Sequence, residues 1–519
     1  MSSLSSSRGE AGAPPYVSSG ERAARDAALA CAAALAVALG VGRFAFTPLL
    51  PLMLAGGELD IRHGGWLASA NYAGYFVGAM TCARIAVDPV RMVRYGLVAT
   101  VALTLAMGIA SPFWVWALVR FVGGAVSAWT FVFASQWGLR RVAERGALAW
   151  GGVIFTGPGV GIVVTGLIGS VLAGQRAALG WIGFAAASAV LSAVVWRAFG
   201  TTAREPVRDA GGERSRNGAE NGGDAAGAAD ASGRAEARRA IGLAGATNAT
   251  NATNATNATN ATNATNATNA TNATNATNAT NATNATNATN AATAISAKNF
   301  TSANVARPRE AVAASTGSAP NASPADARRD AFWLVLLYGL PGFGYIVTAT
   351  FLPVIARAAL PARSPWPDLF WPMFGAALIV GALLGARLPS RWDNRLLLAV
   401  CCAVQAIGVA LGIVWPTAPG FALGSALVGL PFTAITLFAM REARRLRGER
   451  AAGLMGYATA SYGVGQIVGP LAAAPLAAHA GSFSPALWLA SAVLAVGAAG
   501  FAAVALHATR AAKHGSGVA

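Results

Sequence analysis

The 519-residue sequence predicts an all-α membrane protein with twelve transmembrane helices in two pseudo-symmetric six-helix halves. Three observations carry this. Hydrophobic residues make up 55% of the chain and charged residues only 11%, with a mean hydropathy of +0.49. Apolar runs of about 20 residues, the length needed to cross roughly 30 Å of hydrocarbon, are centred near residues 40, 76, 102, 125, 160, 188, 344, 379, 404, 428, 464 and 495. Finally, one cassette occurs twice, as Gly40-Val-Gly42-Arg43-Phe-Ala-Phe-Thr47-Pro-Leu-Leu-Pro51 and Gly342-Phe-Gly344-Tyr345-Ile-Val-Thr-Ala-Thr-Phe-Leu-Pro353, 302 residues apart. Without water to satisfy backbone groups, a helical bundle is the form such runs take.

In chain order, residues 1–25 read as a polar cytoplasmic tail and residues 26–199 as the N-terminal half. The first apolar run continues to about Leu54. It is too long for the hydrophobic region of a cleaved signal peptide and lacks a small-residue cleavage site, so it is expected to stay as the first span. Residues 330–508 form the C-terminal half and 509–519 a second cytoplasmic tail. The repeat extends beyond the cassette. Gly78 and Arg84 match Gly381 and Arg387 at an offset of 303, and Arg140-Arg141 and Gly159-Val-Gly161 match Arg444-Arg445 and Gly463-Val-Gly465 at 304. Nearly constant offsets imply shared loop lengths.

Between the halves, residues 200–329 are polar, and residues 246–290 are fifteen consecutive Ala-Thr-Asn units. A period of three is far below the 20–50 of solenoids, and the unit has no bulky apolar side chain to bury. The segment is expected to be a disordered cytoplasmic linker. The repeat also spells Asn-Ala-Thr, a glycosylation acceptor, but on the cytoplasmic side it would go unmodified.

The formal charge of +17 is topological. Arg91 and Arg94, then Arg140, Arg141 and Arg145, then Arg387, Arg391 and Arg395, then Arg441, Arg444, Arg445, Arg447 and Arg450 fall in alternate loops, while the intervening loops hold few, namely Arg62, Arg176, Arg357 and Arg363. This positive-inside pattern puts both termini and the central segment in the cytoplasm and removes the case for nucleic-acid binding. Alanine richness and arginine over lysine suggest a GC-rich bacterium, hence the inner membrane. Cys31, Cys82, Cys401 and Cys402 lie inside apolar spans with no paired-ligand spacing, so neither disulfides nor a metal site are expected.

Three local patterns resemble the major facilitator superfamily. They are Arg120-Phe-Val-Gly123-Gly124-Ala-Val-Ser-Ala128 in the fourth span, Gly157-Pro158-Gly-Val-Gly161 in the fifth, and a degraded loop signature running from Gly78 through Asp88, Arg91 and Arg94. The resemblance implies the major facilitator fold, a gating role for Asp88, Arg91 and Arg94 at the cytoplasmic loop, and antiport, with which the Gly157-Pro158-x-x-Gly161 pattern is associated. More narrowly, Gly40 to Pro51 and Trp66-Leu-Ala-Ser-Ala-Asn71-Tyr-Ala-Gly-Tyr75 resemble the YbfB/YjiJ-type bacterial branch.

An arginine in mid-span costs about 2.5–3.5 kcal/mol on insertion scales and marks a pathway. Arg43 and Arg120 are the clearest cases. They lie at heights that differ by only about 5 Å at 1.5 Å per residue, and no Asp or Glu lies well inside an apolar run. In the resembled fold, spans one, four, seven and ten line the central cavity, so both arginines would face it and bind an anionic group through their planar forks. For Arg120 the alternative is hydrogen bonding to helix-end carbonyls. Its equivalent is Gly424, and that of Arg43 is Tyr345. Helical spacing adds Thr47 beside Arg43, Asn71 with Tyr75, and Tyr338, Tyr345 and Thr348 on one face of span seven. Tyr457, Ser461, Tyr462 and Gln466 in span eleven stand evenly between ligand contact and interhelical bonding. Gly157, Pro158 and Gly161 read as packing and kinking residues.

No catalytic constellation and no ATP-binding loop appears, so the chain reads as a secondary transporter and not an enzyme. It would be a monomer needing no cofactor, with a bilayer and a small anionic or amphipathic organic solute as partners, coupled to a proton or a counter-anion and running as efflux or antiport. The alternative is a membrane receptor or scaffold that has kept the fold and lost transport.

Overall fold

The computed structural model describes residues 19–147, 150–200, 324–362, 364–389, 391–448 and 451–515. The residue 1–18 part of the predicted tail, the predicted linker from 201 to 323 with its repeat, Arg363, Arg450 and residues 516–519 lie outside the described residues. All described elements are helical and belong to one compact unit.

Among the described residues twelve helical rods follow one another at the predicted places. The first half comprises the first span (Ser19–Ala55 overall), Ile61–Thr81, Pro89–Ile109, Phe113–Glu144, Gly151–Val171 and Ala177–Trp196. The second comprises Pro324–Ala359, Trp366–Arg387, Asn394–Val414, Ala418–Arg447, Ala451–Ala480 and Ser484–Gly515. Ten are apolar enough to cross a membrane by length and composition. The remaining two are the second and eleventh spans, which carry Asn71, Tyr72, Tyr75, Tyr462 and Gln466. These two pack on each other between the halves. A side chain added at Gly65 would strike Pro470 and Ala474, and one at Gly463 would strike Phe76. Much of their surface faces protein, which relieves them of the apolarity lipid demands.

The first span is not a continuous α-helix. After Ser19–Leu35 it widens into a π-helical turn, Ala36–Val41, then passes through residues 42–45 into Phe46–Ala55. Gly42 N–H reaches back five residues to Val37, and Phe44 N–H five to Leu39. Pro48 has no N–H to offer the Phe44 carbonyl. Thr47 N–H takes that carbonyl over three residues instead, at 3.2 Å, which leaves the Arg43 carbonyl without its helical donor. The fourth span satisfies what this break exposes. Ser127 Oγ donates to Ala38 O at 2.7 Å, and the Arg120 guanidinium donates to Arg43 O at 3.3 and 3.4 Å. The fifth span is interrupted before Pro158 and the tenth before Phe432, where Pro431 stands.

Glycines set the closest helix crossings. Gly40 of span one and Gly161 of span five meet backbone to backbone, and Gly465 of span eleven meets Gly339 and Gly342 of span seven in the same way. By the repeat offsets these are one contact made twice. Gly78 packs on Ala125 and its equivalent Gly381 on Leu430.

Burial is uneven along the bundle. At the Arg-poor end a single apolar core crosses between the halves, with Phe44, Phe46, Leu49, Leu50 and Met53 against Tyr345, Phe351, Leu352, Trp371 and Phe374. At the basic end each half keeps its own core, one around Cys31, Phe131, Phe133 and Phe155, the other around Leu398, Cys402, Phe438 and Met440. The halves are therefore sealed together at one end only.

Candidate functional site

Where the shared core gives way to separate ones, a cavity of about 90 Å³ lies between the halves. Spans one and two contribute Arg43, Tyr72, Tyr75 and Phe76, and spans seven, ten and eleven contribute Tyr338, Phe432, Thr433, Thr436, Thr459, Tyr462 and Gln466. One wall carries a cation and the other is aromatic with hydroxyls.

Arg43 is only 5% exposed. Its guanidinium lies over three rings, 4.2 Å from the centroid of Tyr75, 5.0 Å from Tyr72 and 5.3 Å from Phe44. Each ring face is electronegative and offsets part of the buried charge. Its Nη2 donates to Gln466 Oε1 at 3.0 Å, and its Nε has no partner. Gln466 in turn donates through Nε2 to the Tyr345 hydroxyl. Arg43 and Tyr345, the mismatched pair of the duplicated cassette, are thus joined through one amide. Tyr462 stacks between Tyr338 (4.8 Å) and Tyr345 (5.9 Å), and Phe432 meets Tyr345 edge-on at 5.0 Å. Tyr338 OH donates to Thr436 Oγ1 at 3.1 Å, whereas the buried Thr433 hydroxyl is unpartnered.

Arg120 and Arg43 do not share a cavity. Arg120 borders a separate space of about 20 Å³ with Gly42, Thr100, Thr104 and Trp181. It donates to the Arg43 carbonyl and, at 3.4 Å, to that of Leu67, with Phe46 beneath it at 4.7 Å. Asn71 Nδ2 donates to Arg120 O at 2.9 Å, and Thr47 Oγ1 donates to Ala349 O at 3.0 Å, so both engage backbone. Thr348 lines another small space with Gly424 and Ser425, apart from Tyr338 and Tyr345.

Of the loop residues, Asp88 accepts from Arg91 N at 3.1 Å as the helix cap of span three. Arg94 donates to Trp196 O at 3.2 Å and lies over its ring. Beside the matching loop of the second half, the basic ends of spans seven, nine and ten build a charge cluster around one buried carboxylate. Glu442, 1% exposed, pairs with Arg445 at 2.6 Å and lies 3.7 Å from Arg395, which also reaches Asp330 and Asp393. These carboxylates are balanced locally at the basic end. Among the described residues no group of three or more His, Cys, Asp or Glu could hold a metal ion.

Sequence reasoning weighed Gln466 only evenly and passed over Thr433, Thr436 and Thr459. Their polarity inside apolar runs was the available clue.

The family model described as "Uncharacterised MFS-type transporter YbfB" matches residues 35–221 and 268–501. Among solved structures, a crystal structure of the nucleoside transporter NupG aligns with a TM-score of 0.56 at 13% identity, covering 92% of this chain and 99% of that one, a likeness of fold. No match was found among curated proteins. The chain belongs to the YbfB-type family of the major facilitator superfamily, and is a multi-pass membrane protein of a transporter fold.

Proposed function

We propose that the protein is a secondary transporter of the bacterial inner membrane that moves a small organic solute bearing an anionic group, by alternating access of its halves around the Arg43 cavity. The observation that carries this reading is the Arg43 guanidinium, buried at the junction of the halves and met by an amide oxygen and three rings instead of a carboxylate. A cation so placed gains most from an anionic acceptor, and its planar fork suits a carboxylate, phosphate or sulfonate. The wall of Tyr338, Phe432 and Tyr462 with three threonines suits the organic remainder of an amphipathic solute. Arg120, Asn71 and Thr47 act on backbone and frame the site; Arg43 and Tyr75 face the ligand directly, and Tyr345 acts behind them by holding Gln466.

The alternation of arginine-rich loops supports a cytoplasmic basic end with both termini there, so that the cavity lies on the cytoplasmic side of the seal. The Gly157-Pro158-x-x-Gly161 pattern supports efflux by antiport. The coupling partner is a counter-anion or a proton carried on the substrate itself. Asp88 and Arg94, bonded within their own half, keep the loop between spans two and three attached to that half as it rocks.

The test is thermal stabilisation of the purified protein by a panel of organic anions, cations and neutral metabolites, with Arg43→Ala alongside. A ligand at about 100 times its dissociation constant adds roughly 2.7 kcal/mol. Stabilisation of the wild type by anions that vanishes in Arg43→Ala is expected. An equal response of both proteins overturns the anion site.

A further inference from the structure

Gln466 has no equivalent in the first half. At the offset of 304 its place is taken by Ile162. It is 6% exposed, and both ends of its amide are used, Oε1 by Arg43 and Nε2 towards Tyr345. It sits in span eleven, bonded to span one across the division between the halves. Among the described residues three other hydrogen bonds cross that division, namely Thr47 to Ala349 O at 3.0 Å, between the Tyr72 and Thr350 hydroxyls at 3.0 Å and Ser69 to Ile467 O at 2.8 Å. Of the four, the Arg43–Gln466 bond is the one whose two side chains both line the cavity.

We propose that Gln466 is a positioning residue that competes with the transported anion for Arg43, holding the guanidinium and the sealed end of the bundle together until an anion displaces it. This rests on the reading of Arg43 as the anion site. The physical basis is the ranking of acceptors. A neutral amide oxygen bonds a guanidinium, but an ionised oxygen does so about twice as strongly and can engage two N–H groups, including the Nε that is free here. An anion entering from the cavity therefore takes Arg43 from Gln466 and removes one of the bonds between the halves. A glutamate at 466 would pair with Arg43 permanently, whereas an aliphatic residue would leave it unheld. Glutamine both holds and yields. It follows that the empty protein stays latched at the Arg-poor end and reorients more slowly than the loaded one, so that exchange outruns net flux.

The experiment reads the latch without any substrate. Ala349 is 1% exposed within the shared core and its side chain makes none of the cross-half bonds, so Ala349→Cys in the full-length protein reports opening of the sealed end. Its rate of modification by a hydrophilic maleimide is measured in detergent, where both faces meet the reagent, against a parent carrying only the native cysteines. With Gln466→Leu the rate is expected to rise at least tenfold, and with Gln466→Glu, which supplies the carboxylate internally, to fall below that of Gln466. Should Gln466→Leu fail to accumulate, Gln466→Met serves. A glutamine with a packing role alone would make both substitutions open the seal, and that result overturns the proposal, as does an unchanged rate in both. An anion response that survives Arg43→Ala while the labelling rates move in opposite directions would instead remove the anion reading and leave the latch.

Discussion

The Thr47 hydroxyl donates to the carbonyl of Ala349, which is its own equivalent in the second cassette, 302 residues further on. A residue meets its repeat equivalent only near the axis that relates the halves, so this bond marks that axis. The acceptor is available because Pro353, four residues beyond Ala349, has no N–H to complete the helical bond. Pro51 stands in the same place in the first cassette. The two prolines that make the cassettes look alike thus expose carbonyls where the halves touch, and one half supplies a hydroxyl for the other.

Thr47→Val keeps the volume and removes that donor. The buried Ala349 carbonyl is then unsatisfied, at a cost of about 1–3 kcal/mol. Thermal unfolding should show a lowered midpoint for Thr47→Val and one close to wild type for Thr47→Ser.

Arg120 and Arg43 should separate in the same assay. Arg120→Met deprives two carbonyls, those of Arg43 and Leu67, of a charged donor, and bonds of this kind contribute roughly 1.5–3 kcal/mol. A lowered melting temperature with an intact response to anions is expected. Loss of the anion response with unchanged stability would reverse the roles assigned to the two arginines.

The twelve spans and their duplication were legible because bilayer thickness and backbone satisfaction act on composition alone. That extended to spans two and eleven, which fall short of the apolarity of the other ten, because the repeat ties span two to span eight through Gly78 and Gly381, and span eleven to span five through Gly463-Val-Gly465 and Gly159-Val-Gly161. The division of labour between the arginines was not legible. The carbonyl that engages Arg120 is exposed only by the π-helical break at Ala36–Val41 and the shift at Pro48, a local geometry that no spacing of side chains records. Gln466 was hidden for a different reason. Its partner is 423 residues away, and only the approach of span eleven to span one brings the two together. Glu442 could be placed at the end of its span, but its near-complete burial follows from Arg395 and Arg445 closing over it.

Gly161→Ala and Gly465→Ala test the duplicated crossing. A methyl group at either position meets backbone atoms of the neighbouring span, and backbone cannot rotate aside. Overpacking of this kind costs about 1–3 kcal/mol. Each substitution should lower the unfolding midpoint, and because they lie in different halves with no shared partner their effects should add. Values for the two singles and the double variant decide this.

Acid should weaken the basic end of the second half. Asp393 caps span nine, accepting from Arg395 N at 2.8 Å and from its guanidinium at 3.0 and 3.2 Å. Burial pushes the Asp393 carboxyl up, but the bonds from Arg395 bring it down by more, and it lies below the ordinary carboxylate value. A carboxyl depressed in the folded state adds stability above its unfolded pKa, and that contribution is lost as pH falls through the folded value. Asp393→Asn should therefore melt lower than wild type at pH 7, with the gap closing as the pH is taken towards 3. A constant gap across that range would mean that the effect is one of capping geometry and not of charge.

Arg43 should be costly to the resting protein. Among the described residues no carboxylate pairs with it, its Nε is unpartnered, and one amide and three rings compensate its charge. Exchanging a buried ionic group for an apolar one of similar volume is often neutral or stabilising, by up to about 1–4 kcal/mol. Arg43→Met is therefore expected to melt at or above the wild-type temperature while losing stabilisation by organic anions and any anion flux in proteoliposomes. Stability and binding then move in opposite directions at one residue, which is the pattern of a group kept for its ligand. A steep loss of stability in Arg43→Met would place the arginine with Arg120 among the groups that hold the spans together.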